Sequence, residues 1–204
     1  HPLDITLWRA TTANQSSHIP KFPSPFGPGR PGWHIECSAM SMSTLGEQID
    51  IHGGGTDLIF PHHEAEIAQS EGTTGKIPFV KFWIHTKPVF YRGKKMSKSE
   101  GNLMMISRLL QKYSPNAIRW LLLSKHFTKS WEFTDNDLIK AQKNVRLVEK
   151  ALASQTPTRE SATTGYIQQF TRIMDNNINT PKALEFLLKL AESNSGKDLK
   201  NLYE

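Results

Sequence analysis

Cys37, His62 and Glu66 are the residues of this sequence whose types and spacing suit a metal ion. His62 and Glu66 stand four apart on a segment of helical pattern, so their side chains leave one face, and Cys37 comes from a preceding helical segment. Thiolate, imidazole and carboxylate together suit zinc. The same residues also fit a plainer arrangement, a buried cysteine acting as a small hydrophobe beside a local His–Glu pair. Three ligands are one short of a closed structural site, so the fourth position is missing here or is filled by substrate. His63 and Glu64 compete as ligands; HHEAE contains no HExxH, and His63 reads as a helix-face residue.

Two further stretches carry phosphate and nucleotide chemistry. In HGGGTD, residues 52–57, glycine removes the Cβ that would keep a backbone from a ligand, and Asp57 can accept hydrogen bonds from ribose hydroxyls. Three glycines alone often mark only a tight turn. In KKMSKSEGN, residues 94–102, Lys95 and Lys98 lie three apart on a loop. Such a pair can clamp a triphosphate and stabilise the charge that develops as pyrophosphate leaves. A lysine run by itself is usually solvated surface; here the five-residue KMSKS pattern argues otherwise.

Positioning these residues requires an α/β framework. Residues 1–31 hold a short apolar stretch and then FPSPFGPGRPG, where Pro and Gly disfavour regular structure. Residues 33–45 predict a helix with Ile35, Ala39, Met42 and Leu45 on one face and Gly46 as its stop. Residues 48–52 predict a buried strand, the glycines a turn, and a second helix starts near Pro61. Strand, glycine turn and helix form the unit that nucleotide-binding folds repeat. Residues 79–91 supply a further strand or two. After the lysine loop the pattern is helical: Ser114 and Pro115 open one helix, Thr134 caps another over 135–153, and residues 154–165 read as a polar linker. Helices over 166–174 and 180–191 follow, the second capped by Thr180, and the tail SNSGKDLKNLYE frays.

At 204 residues, 37% hydrophobic and 22% charged, the chain is globular, with room for one large or two small domains. Its net charge is +6 and its pI about 9.4. The excess is local: residues 1–86 carry −3, residues 87–150 carry +9 and residues 151–204 carry 0. The middle third is therefore where a polyanion would dock. One cysteine forms no internal disulfide, and neither a signal peptide nor an apolar run of about 18 residues is present, which points to the cytoplasm and to no membrane span.

KMSKS, PGWHIECSAM, DIHGGGTDLIFPHHEAEIAQSE and DNNINTPKAL together resemble cysteinyl-tRNA synthetases, a family of class I aminoacyl-tRNA synthetases, and the resemblance runs over nearly the whole chain. It implies the second half of a class I Rossmann-type nucleotide fold followed by an all-α stem-contact and helical-bundle region. In domains, this means the end of an inserted connective region at 1–31, the Rossmann-type half at 32–92, the KMSKS loop and stem-contact helices at 93–153, the linker, and an incomplete bundle from 166. By resemblance, Cys37, His62 and Glu66 hold one Zn2+ that binds the substrate thiol, and Trp33 walls the amino-acid pocket. His52, Gly55, Asp57 and Lys98 meet ATP, which comes with Mg2+, and Lys95 and Lys98 are catalytic. The implied reaction activates cysteine to cysteinyl-adenylate and transfers it to tRNA(Cys); the intact protein is expected to be a monomer. The family's first signature, a HIGH-type motif, and its first zinc cysteine lie in an N-terminal half not found here, so the chain reads as a C-terminal part inactive alone. The rival enzyme class is the ligase joining cysteine to an amino sugar-inositol, from which Glu66 in HHEAEIAQSE departs. A non-catalytic tRNA-binding fragment is the rival outside enzymes. A zinc hydrolase would lack a paired general base and leave KMSKS unexplained.

Overall fold

Trp8 and the glycines at 29 and 32 shape the beginning of the structure, a computed structural model that describes residues 4–12, 14, 16, 18–153 and 160–193. Strand β1 (Trp8–Ala10) pairs antiparallel with β2 (Gly29–Pro31). A Cβ at Gly29 would strike the Trp8 ring and the Arg9 carbonyl, and one at Gly32 would strike the Thr6 carbonyl. The Pro/Gly segment expected to lack regular structure thus contributes a strand, because its glycines let two backbones close on each other. By internal contacts the chain forms two units, His1–Thr86 and Lys87–Glu204.

In the first unit, α1 (Trp33–Leu45) is followed by β3 (Ile49–Gly55), a 3-10 turn (Thr56–Leu58), an irregular helical turn (Ile59–His63), α2 (Glu64–Thr74) and β4 (Val80–Thr86). β3 and β4 are parallel, with His52 opposite Trp83 and Gly54 opposite His85. A parallel pair needs a crossover, and α2 lies within it. The glycines expected to form a turn are instead the last three residues of β3. Ile49 is buried, but Ile51 and its partner Phe82 are exposed, so the strand is not buried throughout.

Helix α1 turns a different face inward from the one its apolar spacing suggests. Ser38 is its buried residue, whereas Leu45 is 65% exposed. Ser38 Oγ donates to Gln69 Oε1 at 2.6 Å. Apart from Glu66, the buried side chains of α1 and α2 are small: Ser38, Ala65 and Ser70. Gly46 ends α1 as expected, its N–H donating to the Met42 carbonyl.

The second unit is not all-α. It holds a three-stranded sheet, β6 (Lys94–Lys95), β5 (Val89–Tyr91) and β7 (Trp131–Glu132) in that spatial order, with β5 parallel to β7. β5 pairs with β6 and β7, which ties it to this unit, and by internal contacts the division falls between Thr86 and Lys87. The helices are α3 (Ile106–Leu109), α4 (Pro115–Leu123), α5 (Asp135–Ala153), α6 (Glu160–Asp175) and α7 (Thr180–Glu192).

The caps explain where α4 and α5 begin. Ser114 Oγ accepts the Ala117 N–H at 3.2 Å, and Thr134 Oγ1 accepts that of Asp137 at 3.3 Å. α7 is capped by Asn179, whose Oδ1 accepts the Lys182 N–H, and not by Thr180, which is already helical. α6 begins at Glu160, so residues 160–165 are helix rather than linker. Residues 154–159, and all of the tail expected to fray except Ser193, lie outside the described residues. Ile118, Leu121, Phe133 and Leu138 form one core beneath the sheet, and Ala151, Phe186 and Leu190 form another among α5, α6 and α7.

Candidate metal centre and nucleotide-binding segments

Cys37 lies one turn beyond Trp33 on α1, His62 just before α2, and Glu66 in the first turn of α2. Ligand atoms of these three residues lie within 4.8 Å of one another. A second trio, His52, His63 and Glu66, meets the same criterion. Glu66 is the shared member: one carboxylate oxygen is 2.8 Å from His62 Nε2 and the other 3.2 Å from His52 Nε2. The residue is fully buried, and neither oxygen has a hydrogen-bond partner of good geometry among the described residues. A buried carboxylate without directed donors is costly unless it is protonated or meets a cation.

Further histidines hold this arrangement. His34 Nδ1 lies 2.7 Å from His62 Nδ1, and His63 Nδ1 lies 2.8 Å from His85 Nε2. A His62 tautomer that donates from Nδ1 to His34 keeps the lone pair of Nε2 facing Glu66, the orientation a metal ligand needs. Trp33 stacks on the His62 ring at 4.6 Å, and Trp83 sits 4.9 Å from both His52 and His63. His63 is therefore not a helix-face residue; it is 3% exposed and faces β3 and β4.

Burial dominates the electrostatics. It raises the Glu66 carboxyl to about 7, partly offset by the neighbouring Cys37 thiol. Burial, then the Glu66 charge, raises the Cys37 thiol. Burial and the other imidazoles lower His63 to about 4, and burial first also lowers His52 and His62. Near neutral pH the His52, His62 and His63 imidazoles are uncharged and the Cys37 thiol protonated. This donor set is poor in charge and its Glu66 oxygens lack directed donors, and it fits a thiophilic divalent cation that would displace protons on entering.

Gly55 and Asp57 occupy the end of β3 and the following 3-10 turn, where a Cβ on Gly55 would meet the Asp57 carboxylate. His52, expected beside a nucleotide, lies within the histidine cluster. Lys95 ends β6, and Lys98 begins an exposed turn in the second unit. Asn102 clasps this loop: its Oδ1 accepts the Ser97 N–H at 2.9 Å and its Nδ2 donates to the Lys95 carbonyl at 3.1 Å. Met96 packs on the core, so the lysines project from an anchored segment. His34, Trp83 and His85 were missed as site residues. Trp83 and His85 alternate at period two on β4, a signal that acquires meaning only once β3 and β4 are known to pair.

Residues 1–143 match the family model of the class I (C) tRNA synthetase catalytic domain, and the chain belongs to that family. Within it, the chain is similar to cysteine–tRNA ligases. The Legionella pneumophila (strain Philadelphia 1) protein is 46% identical over 98% of this chain, and the Picosynechococcus sp. (strain PCC 7002) protein 48% identical over 94%. The chain spans only 45% and 40% of those relatives. The fold is also like that of LeuRS from Agrobacterium radiobacter K84 in its ternary complex with tRNA and LeuAMS. That likeness has a TM-score of 0.57 at 14% identity, over 89% of this chain and 30% of the other. No helix among the described residues is long and apolar enough to cross a membrane.

Proposed function

We propose that this chain is part of a cysteine–tRNA ligase that activates cysteine with ATP and transfers it to tRNA(Cys) in the cytoplasm. The observation that carries the reading is the convergence of the Cys37, His62 and Glu66 ligand atoms within 4.8 Å, in a family member similar to cysteine–tRNA ligases. β3, α2 and β4 are the second half of a Rossmann-type nucleotide fold in this reading, and the helices from α4 onward its stem-contact and bundle regions.

Cys37, His62 and Glu66 would hold Zn2+, which supplies a soft Lewis acid that takes a thiolate far better than a hydroxyl and so separates cysteine from serine. Trp33, stacked on His62, walls the amino-acid pocket. Gly55 admits the adenosine and Asp57 accepts from its ribose. The cysteine carboxylate attacks the α-phosphate, giving cysteinyl-adenylate and pyrophosphate. Lys95 and Lys98, with Mg2+, stabilise the charge on the departing pyrophosphate. A terminal ribose hydroxyl of the tRNA then attacks the adenylate carbonyl and releases AMP. Binding energy is used for positioning and charge stabilisation rather than for covalent chemistry by the protein.

The test is cysteine-dependent ATP–pyrophosphate exchange by the full-length gene product, followed by charging of tRNA(Cys). Exchange with cysteine and not with serine is expected. Transfer only to an amino sugar-inositol, or no exchange by a zinc-loaded protein that binds tRNA, would overturn the reading.

A further inference from the structure

Glu66 has two buried oxygens and a different neighbour for each. Oε1 lies 2.8 Å from His62 Nε2, in the trio that Cys37 completes, whereas Oε2 lies 3.2 Å from His52 Nε2. Neither oxygen receives a directed hydrogen bond among the described residues. A cation bound through Oε1 alone therefore leaves Oε2 buried and without a partner, which is costly.

The His52 side has the parts of a metal site of its own. Ligand atoms of His52, His63 and Glu66 lie within 4.8 Å of one another, and none of them is sulfur. Trp83 flanks both imidazole rings at 4.9 Å. His63 Nδ1 stands 2.8 Å from His85 Nε2, and a His63 tautomer that donates there keeps the lone pair on Nε2. His34 does the same for His62, so each trio contains a histidine backed by a further imidazole. Gly54 leaves uncovered the side of the His63 ring that carries Nε2, since a Cβ there would come within 3.0 Å of that nitrogen.

The two trios cannot both be filled cheaply. Their five ligands include only two groups that become anions, Cys37 and Glu66, enough to balance one dication. Ligand chemistry then sorts the sites: thiolate favours a thiophilic ion, and imidazole with carboxylate suits ions that prefer nitrogen and oxygen. We infer that His52, His63 and Glu66 form a second, thiol-free site for a nitrogen-preferring divalent cation such as Ni2+, exclusive of the Cys37 site because Glu66 is common to both. An ion held there withdraws Glu66 from the other trio and so competes with zinc. The competition, though not the second site itself, rests on the reading that Cys37, His62 and Glu66 hold zinc.

The test titrates the full chain with Ni2+ alone and with Zn2+ alone, against a chromophoric chelator. The unaltered chain should bind Ni2+ without a thiolate-to-nickel charge-transfer band, and Zn2+ should displace it at one metal per chain in total. Cys37→Ser should keep Ni2+ affinity within about threefold, because no sulfur is involved. His52→Gln and His63→Gln should each weaken Ni2+ binding at least about 10–100-fold and leave zinc within about threefold. A thiolate band, an equal loss of Ni2+ affinity in Cys37→Ser, unchanged Ni2+ affinity in both histidine variants, or two metals per chain at saturation would each overturn the inference. Should the histidine variants fail to fold, the Ni2+ spectrum of the unaltered chain and the Cys37→Ser titration still decide. Zinc lost in Cys37→Ser from a chain that binds no Ni2+ defeats the second site alone. Imidazole-bound Ni2+ beside a zinc affinity that Cys37→Ser does not change defeats the zinc reading alone.

Discussion

Gly54 lies directly against His63: a Cβ built on the glycine would stand 2.7 Å from the imidazole Cε1 and 3.0 Å from Nε2. The ring cannot easily retreat, because Nδ1 is joined to His85 at 2.8 Å and Trp83 flanks it at 4.9 Å. Gly54→Ala should therefore cost about 1–3 kcal/mol by overpacking. Gly53→Ala, whose Cβ meets only the Ile84 carbonyl at 3.6 Å, should stay near neutral. Chemical denaturation followed by Trp fluorescence separates the two; equal losses would mean that the His63 contact is not what requires glycine at 54.

That relationship marks what a sequence can and cannot disclose. α4 and α5 were legible because Ser114 and Thr134 announce their starts by local hydrogen bonds that need no tertiary partner. Cys37, His62 and Glu66 were legible through residue type and the i,i+4 spacing. Ser38 was not, since the inward face of α1 is chosen by close approach to α2 and not by apolar periodicity. His85 was hidden for a related reason: it reaches His63 through a parallel pairing whose register is set by residues about 30 positions away. The helical start at Glu160 was obscured by Ser, Thr and Gly, weak helix formers that a growing helix tolerates once nucleated.

Cys37→Ser replaces a thiol by a much poorer zinc ligand in the same volume. The variant should lose at least about 100-fold in zinc affinity, measured by competition with a chromophoric chelator. Its fold should survive, because Cys37 is only partly buried. Retained stoichiometric zinc at unchanged affinity would move the metal to the His52, His63 and Glu66 trio.

Without metal, the buried groups set opposing pH dependences. His63 is lowered from 6.5 to about 4, so the unfolded chain binds the extra proton between those values and stability rises with pH across that window. His52 and His62 act in the same direction. Glu66 is raised from 4.5 to about 7, so the folded state holds the extra proton and stability falls as pH climbs through that range. Glu66→Gln removes this one opposing proton. In chelator, the variant's stability should rise more steeply than the wild type's between pH 5 and 6.5, by about 1.4 kcal/mol per pH unit. With zinc present the order should reverse at neutral pH, because the variant has lost a ligand. Parallel pH profiles in chelator would show that Glu66 is ionised in the metal-free fold.

The lysine loop offers a separation of binding from chemistry. Lys98 is exposed and has no carboxylate within 4.0 Å among the described residues, so its charge is not engaged in holding the fold. In the full-length protein, Lys98→Ala should leave zinc content unchanged and lower cysteine-dependent pyrophosphate exchange about 10²–10³-fold, the scale for losing one preorganised charge at a transition state. Asn102→Ala removes no charge but frees both the Ser97 N–H and the Lys95 carbonyl from their clasp. A smaller loss, about tenfold, is expected there, because the lysines remain but are no longer held in place. Exchange unaffected by Lys98→Ala would remove the loop from the reaction, and an Asn102→Ala loss as large as that of Lys98→Ala would make loop shape, rather than lysine charge, the larger contribution.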